Sequence, residues 1–228
     1  MKLDDRPLIL LGDTHGAWGK LFYELSIKNI ENCNILSIGD IGIGFSVNEE
    51  ENTNFLNRRF KEKNINFYSI RGNHDDPSYF HGEKRIALSN FELVEDYTIT
   101  AYNGKTIQCI GGAISIDRKG RAKDVSWWPN ENVNFEPTSC GNVDVLVTHT
   151  APSWCAPVEF GEIVYGWAEE DHELIQDLTK ERKTMDEILS LCKPEQHFYG
   201  HFHFSNTEVI NECKHKLLNI DEFYELRL

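Results

Sequence analysis

The chain has no apolar run long enough to cross a bilayer, and it is poor in basic side chains, with 23 Lys and Arg against 37 Asp and Glu in 228 residues. A transmembrane helix needs about 20 consecutive apolar residues, so that architecture is excluded and no membrane partner is expected. The formal net charge of -14 repels polynucleotide backbones, so nonspecific nucleic-acid binding is not expected either. Cys-x-x-Cys pairs are absent. The six cysteines, Cys33, Cys109, Cys140, Cys155, Cys192 and Cys213, are scattered, which excludes a zinc-finger pattern and a disulfide framework and predicts buried free thiols. An apolar leader is also missing where Met1-Lys2-Leu3-Asp4-Asp5-Arg6-Pro7 is charged, and a cytoplasmic location is expected on that ground.

What remains is a 40% hydrophobic chain of a size that builds one well-buried core, so a single domain over residues 1–228 is expected. Leu8 to Leu11, Ile35 to Ile38, Phe67 to Ile70 and Val143 to Val147 are short apolar runs of the kind that form strands buried on both faces. Helical spacing over Trp18 to Ile30 and Glu49 to Lys63 separates the first three, which predicts successive β-α-β units. From Arg85 to Ile116 the pattern is β-rich, with Asn103-Gly104 as a hairpin turn, and predicts a second sheet. Residues 117–137 read as a long loop, Ala168 to Cys192 as mostly helix, and Thr207 to Ile210, Lys216 to Ile220 and Phe223 to Leu228 as strands.

Five separated fragments carry the chemistry: Gly12-Asp13-Thr14-His15-Gly16, Gly39-Asp40, Gly72-Asn73-His74-Asp75, Thr148-His149-Thr150 and Gly200-His201-Phe202-His203. Each follows an apolar, β-branched or aromatic run, and the carboxyl ends of parallel strands are where open α/β sheets gather their sites. Carboxylates, an amide and imidazoles together make a mixed oxygen and nitrogen pocket suited to first-row divalent ions rather than to calcium or a thiolate-bound zinc. His201 and His203 alternate along Gly-His-Phe-His-Phe, which predicts an extended strand with both imidazoles on one side. The other histidines, His81, His172, His197 and His215, sit in polar or unpatterned sequence and are expected at the surface or in local hydrogen bonds.

In that order the fragments resemble the signature of the calcineurin-like metallophosphoesterases, and the likeness runs from residue 12 to residue 203; Gly111 to Arg118, followed by Arg121 and Ser126-Trp127-Trp128-Pro129, resembles a subgroup of small bacterial and phage members. The resemblance implies an α/β fold in which two mixed sheets form a β-sandwich flanked by helices. It implies two divalent metal ions, with manganese the expected activator and iron, zinc, cobalt or nickel as alternatives. Asp13, His15 and His203 would hold the first ion, Asp40 would bridge, and Asn73, His149 and His201 would hold the second. A bridging carboxylate holds two such ions roughly 3.5 to 4 Å apart, so that a shared hydroxide can attack phosphorus in line. His74 would protonate the leaving oxygen, a role suited to imidazole, and Asp75 would orient it. Arg71, in the place of a phosphate-binding arginine of the protein phosphatase branch, would contact the phosphate.

That branch carries a further Asp-Arg pair where this chain has Ile43 and Gly44. Arg118, Arg121, Trp127 and Trp128 are further substrate-binding candidates, because a guanidinium fork matches phosphate oxygens and an indole stacks on a base or phenol ring. The bland reading of that loop is a tryptophan anchor and solvated arginines. The expected reaction is hydrolysis of a phosphomonoester on a small molecule, a nucleotide or a protein. A phosphodiesterase acting on small or cyclic nucleotides comes next, then a nuclease, and a catalytically silent metal-binding interaction module is the rival from outside enzymology.

Overall fold

The computed structural model describes residues 1–228 and builds four layers, helix, sheet, sheet, helix. The first sheet holds β1 (Leu8–Leu11), β2 (Asn34–Ser37), β3 (Asn66–Ser69) and β4 (Phe91–Leu93) in parallel, with β11 (Phe223–Glu225) antiparallel at the edge beside β1. In the second the order is β5 (Thr98–Tyr102), β6 (Lys105–Ile110), β7 (Val145–Thr148), β8 (Gln196–Tyr199), β10 (Cys213–Leu217) and β9 (Asn206–Ile210). The β6-β7-β8-β10 run is parallel and both edge strands are antiparallel. The expected two-sheet α/β sandwich is the observed fold.

Strand periodicity explains the layering. Leu8, Leu10, Leu36, Ile38, Tyr68 and Ile70 point inward and meet Ile107, Cys109, Val145, Val147 and Phe198 of the other sheet. Alternate residues, Leu11, Ile35 and Phe67, point outward, where α1 (Trp18–Ile27) and α2 (Glu49–Glu62) cover them with Leu21, Phe22, Leu25, Leu56 and Phe60. Phe60, Phe67 and Phe91 stack there with ring centroids 4.5 to 6.2 Å apart. On the opposite side α4 (Leu174–Cys192) lays Met185, Ile188 and Leu189 over Leu146 and Ile110. Each such apolar side chain contributes about 1.5 to 3 kcal/mol relative to exposure. The chain contains no helix long and apolar enough to cross a membrane.

Several expectations need correcting. The helices end at Ile27 and Glu62, and Asn29 sits at φ 52, a left-handed conformation that cannot continue a helix. The strand of Phe91 to Leu93 belongs to the first sheet, beside β3, so the second sheet begins only at Thr98. A short helix, α3 (Glu162–Ala168), stands where none is expected, and the aromatic run before Gly200 forms strand β8. Residues 200–204 are not a strand: His201 and His203 adopt φ 70 and φ 58, and the imidazoles converge through left-handed turns instead of strand alternation. Of the two placements expected for them, surface or local hydrogen bonds, His197 and His215 take the second: they lie in β8 and β10, are 0% and 1% exposed, and face each other across 3.1 Å.

Candidate metal centre

Loops leaving β1, β2 and β3 meet loops leaving β7 and β8 at one end of the sandwich, because both sets of strands run the same way toward it. From the first sheet come Asp13, His15, Asp40, Asn73 and His74; from the second come His149, His201 and His203. The backbone is strained where the groups converge, with His15 at φ 46 and Asp40 at φ 53 alongside the two C-terminal histidines. Close approach also demands glycine. A Cβ on Gly72 would lie 2.0 Å from Asp40 Oδ1, and one on Gly39 would lie 2.4 Å from His149 Nδ1.

Two donor sets result, sharing Asp40. Asp13, His15, Asp40 and His203 form one, and Asp40, His149 and His201 the other, with ligand atoms inside each set no more than 4.8 Å apart. His203 Nε2 lies 3.3 Å from Asp13 Oδ2 and 3.0 Å from His15 Nε2, while His149 Nε2 lies 3.2 Å from Asp40 Oδ1. Asn73 joins the second set through its Oδ1, 2.8 Å from His201 Nδ1 and 3.2 Å from His149 Nε2, and its amide is oriented by donation to Ser115 Oγ at 3.1 Å. His149 Nδ1 donates to the Ile38 carbonyl at 2.7 Å, which leaves Nε2 free for a ligand.

The electrostatics call for positive charge. Burial disfavours an imidazolium at His149, yet Asp40 and Asp13 outweigh it and hold its pKa up to about 10. Asp40, although buried, is held below the usual carboxylate range by the same His149. The hydrogen bond to Asp13 raises His203, whereas burial, aided by His149, pushes His201 well below its ordinary value. Asp40 Oδ2 is buried with no hydrogen-bond partner. An orphaned carboxylate oxygen facing several imidazoles fits a divalent first-row cation, the kind of ion that the resemblance implies.

Beside these sets a cleft of about 790 Å³ opens, lined by Asp40, Asn73, His74, Arg121, His201 and His203 on the polar side. Arg121 donates to His74 Nε2 at 2.7 Å and pairs with Asp117 at 2.8 Å. Burial first, and Arg121 in support, push His74 down to about 4. An apolar wall is supplied by Phe160, Ile163, Val164, Trp167 and Phe202. None of these five residues is among the candidates that the motifs supply. Phe160, Ile163, Val164 and Trp167 stand at helical spacing (i, i+3, i+4, i+7), a signal that was there to be found.

Other anticipated site residues lie elsewhere. Arg71 is 5% exposed and points away from both donor sets, with Nε on Asp96 Oδ2 at 2.8 Å and its other nitrogens on the Glu131 and Asn132 carbonyls at 2.6 and 2.9 Å. Asp75 accepts from the backbone N–H groups of Gly42, Ile43 and Gly72 at 2.8 to 3.1 Å, so it fixes two ligand loops and makes no hydrogen bond to the His74 ring. Burial, then the charge of Asp40, raises its pKa to about 7. Arg118 ties the 117–137 loop to Asp171 and Asp177. Trp127 donates to Glu131 Oε1 at 3.1 Å, and Trp128 is buried edge-on against Phe45, so both indoles anchor the loop.

Sequence comparison matches residues 6–205 to the calcineurin-like phosphoesterase family. No curated protein matches. Among solved structures, an archaeal phosphodiesterase is 12% identical with a TM-score of 0.42, covering 97% of this chain and 99% of its own. The phosphopantetheinyl hydrolase of Mycobacterium tuberculosis is also 12% identical, with a TM-score of 0.47 and coverage of 98% and 97%. With a family match over most of its length, the chain belongs to the calcineurin-like phosphoesterases and is a phosphoric ester hydrolase.

Proposed function

We propose that the protein is a dinuclear metal-dependent phosphomonoesterase acting on a small molecule, a nucleotide or a phosphoprotein, with manganese as its activating ion. The observation that carries this reading is the sharing of Asp40 between two donor sets at the mouth of one cleft. Asp13, His15 and His203 would hold one ion, Asn73, His149 and His201 the other, and Asp40 both. Such a pair, when bound, supplies charge neutralisation at phosphorus and a nucleophile at neutral pH.

The chain's own groups do the rest. Arg121, the cleft's arginine nearest His74, offers a planar fork to the non-bridging oxygens, the role first expected of Arg71. Because the Arg121 N–H is directed at His74 Nε2, neutral His74 carries its proton on Nδ1. Engagement of Arg121 by an anionic substrate would release Nε2 and favour the imidazolium that protonates the leaving oxygen. The apolar wall would take the organic part of the ester and keep water from it.

A second reading, hydrolysis of a diester, is favoured by the withdrawal of Arg71: a singly charged diester needs fewer cations than a monoester dianion. Turnover of p-nitrophenyl phosphate and bis-p-nitrophenyl phosphate, with manganese and the other ions varied, separates the two. Monoester preference with manganese is the expected result, diester preference selects the second reading, and inactivity on both with every ion overturns the enzymatic proposal.

A further inference from the structure

Outside the lining of the cleft, three groups that the phosphoesterase chemistry does not use come together: Cys155, His197 and His215. Their ligand atoms lie within 4.8 Å of one another, and all three residues are buried, at 0%, 0% and 1% exposure. His197 Nδ1 and His215 Nδ1 face each other across 3.1 Å. The edge of Trp154 covers His215, with ring centroids 5.0 Å apart, and excludes water from that side.

Hydrogen-bond bookkeeping at His197 fixes its tautomer. The Thr148 hydroxyl has a single proton, and it donates that proton to the Thr150 carbonyl at 2.6 Å. His197 Nε2, 2.8 Å from the same oxygen, must therefore be the donor of that contact. Burial keeps His197 neutral, so Nδ1 presents a lone pair toward His215 and Cys155. If His215 answers with an Nδ1 proton, its Nε2 becomes a buried acceptor, and this nitrogen has no hydrogen-bond partner. If the proton sits on Nε2, two lone pairs oppose each other at 3.1 Å. A cation held by both Nδ1 atoms removes that opposition of lone pairs, with the His215 proton on Nε2. It also completes a familiar arrangement, in which the far nitrogen of a ligating imidazole donates to a nearby oxygen, here Thr148 Oγ1.

We infer that Cys155 Sγ, His197 Nδ1 and His215 Nδ1 form a second metal site, separate from the phosphoesterase centre and suited to a zinc-class d10 ion. One thiolate with two imidazoles is a softer donor set than the mixed oxygen and nitrogen pocket in the cleft, and tetrahedral zinc accepts that combination. Binding exchanges the thiol proton for the ion, and the proton leaves to solvent. Glu208, opposite His215 in the β9–β10 ladder and accepting from the Ala156 N–H at 2.9 Å, adds the negative charge that a thiolate alone leaves short. Placement gives the site a purpose. Thr148 immediately precedes His149, and β8, which carries His197, ends at Tyr199 two residues before His201, so an ion here would stiffen two loops that feed the cleft.

Cobalt titration of the chelator-stripped full chain tests this. The expected result is a near-ultraviolet thiolate-to-cobalt band that saturates at one ion per chain, survives in His15→Ala, and is lost in Cys155→Ser and His215→Gln. X-ray absorption at the zinc edge of the wild-type protein, loaded with zinc alone, provides a readout that needs no variant and should detect sulfur among the ligands. Absence of the band in the wild type, its persistence in Cys155→Ser, or a zinc shell of oxygen and nitrogen only would each overturn the site.

Discussion

Arg121 donates to His74 across 2.7 Å while pairing with Asp117 at 2.8 Å, so a residue of the 117–137 loop is held over the catalytic pocket by a partner in its own loop. Arg121→Ala should therefore lower kcat/KM for phosphoesters by roughly tenfold to a hundredfold, the range for losing a charge-assisted hydrogen bond, without changing metal content. Steady-state kinetics alongside elemental analysis checks this. Unchanged kcat/KM would return Arg121 to a purely structural place.

His74 and Asp40 should separate cleanly. His74→Asn is expected to reduce turnover by about a hundredfold with both metals retained, because no ligand atom is lost. Asp40→Asn should reduce occupancy as well as rate, since it removes the carboxylate common to both donor sets. Equal metal loss in the two variants would move His74 among the ligands.

Gly72 is a packing requirement of the same carboxylate. An alanine there would place Cβ 2.0 Å from Asp40 Oδ1 and 2.5 Å from Asp40 N, contacts that only a backbone shift can relieve. Gly72→Ala should destabilise the fold by about 1 to 3 kcal/mol and weaken metal binding, as measured by urea denaturation and metal titration. Wild-type metal affinity in this variant would mean that the loops yield without disturbing Asp40.

Arg71 is predicted to act on stability and not on substrate. Its ion pair with Asp96 and its bonds to two backbone carbonyls are largely out of solvent, so Arg71→Met should cost about 2 to 4 kcal/mol in urea denaturation and leave KM unchanged at a temperature where the variant is folded. A raised KM with unaltered stability would restore the phosphate-binding role.

Glu181 makes stability depend on pH. Burial raises its pKa from 4.5 to about 7, although the Val133 and Ile114 N–H groups that it accepts from oppose the change. The folded chain then keeps a proton that the unfolded chain has released, so the contribution is complete below about 4.5 and is lost as pH rises toward 7. Relative to Glu181→Gln, the wild type should lose stability across that window in paired denaturation curves. A pH-independent difference would mean that Glu181 titrates alike in the folded and unfolded chain.

Strand-to-loop transitions were legible because physics writes them twice. Val145 to Val147 must be apolar to lie between two layers, and His149 must follow at once to reach the pocket. Directions of side chains were not. The motif containing Arg71 specifies a residue type, while the carbonyls of 131 and 132 that capture it come from a loop sixty residues away. Adjacent tryptophans likewise read as ligand contacts or as anchors until Phe45 and Glu131 are seen beside them. The burial of His197 is not legible because Gln196-His197-Phe198-Tyr199 mixes polar and aromatic residues, and only the ladders with β7 and β10 make it interior.

Asp13, His15, Asp40 and Asn73 hang from one sheet, whereas His149, His201 and His203 hang from the other. Any cation seated among them is bonded across the interface of the sandwich, and so works as a clasp at one end of the molecule. Stripping it would do more than silence the chemistry: the two halves would be left free to part at that end, and heat or protease would find the opening there first.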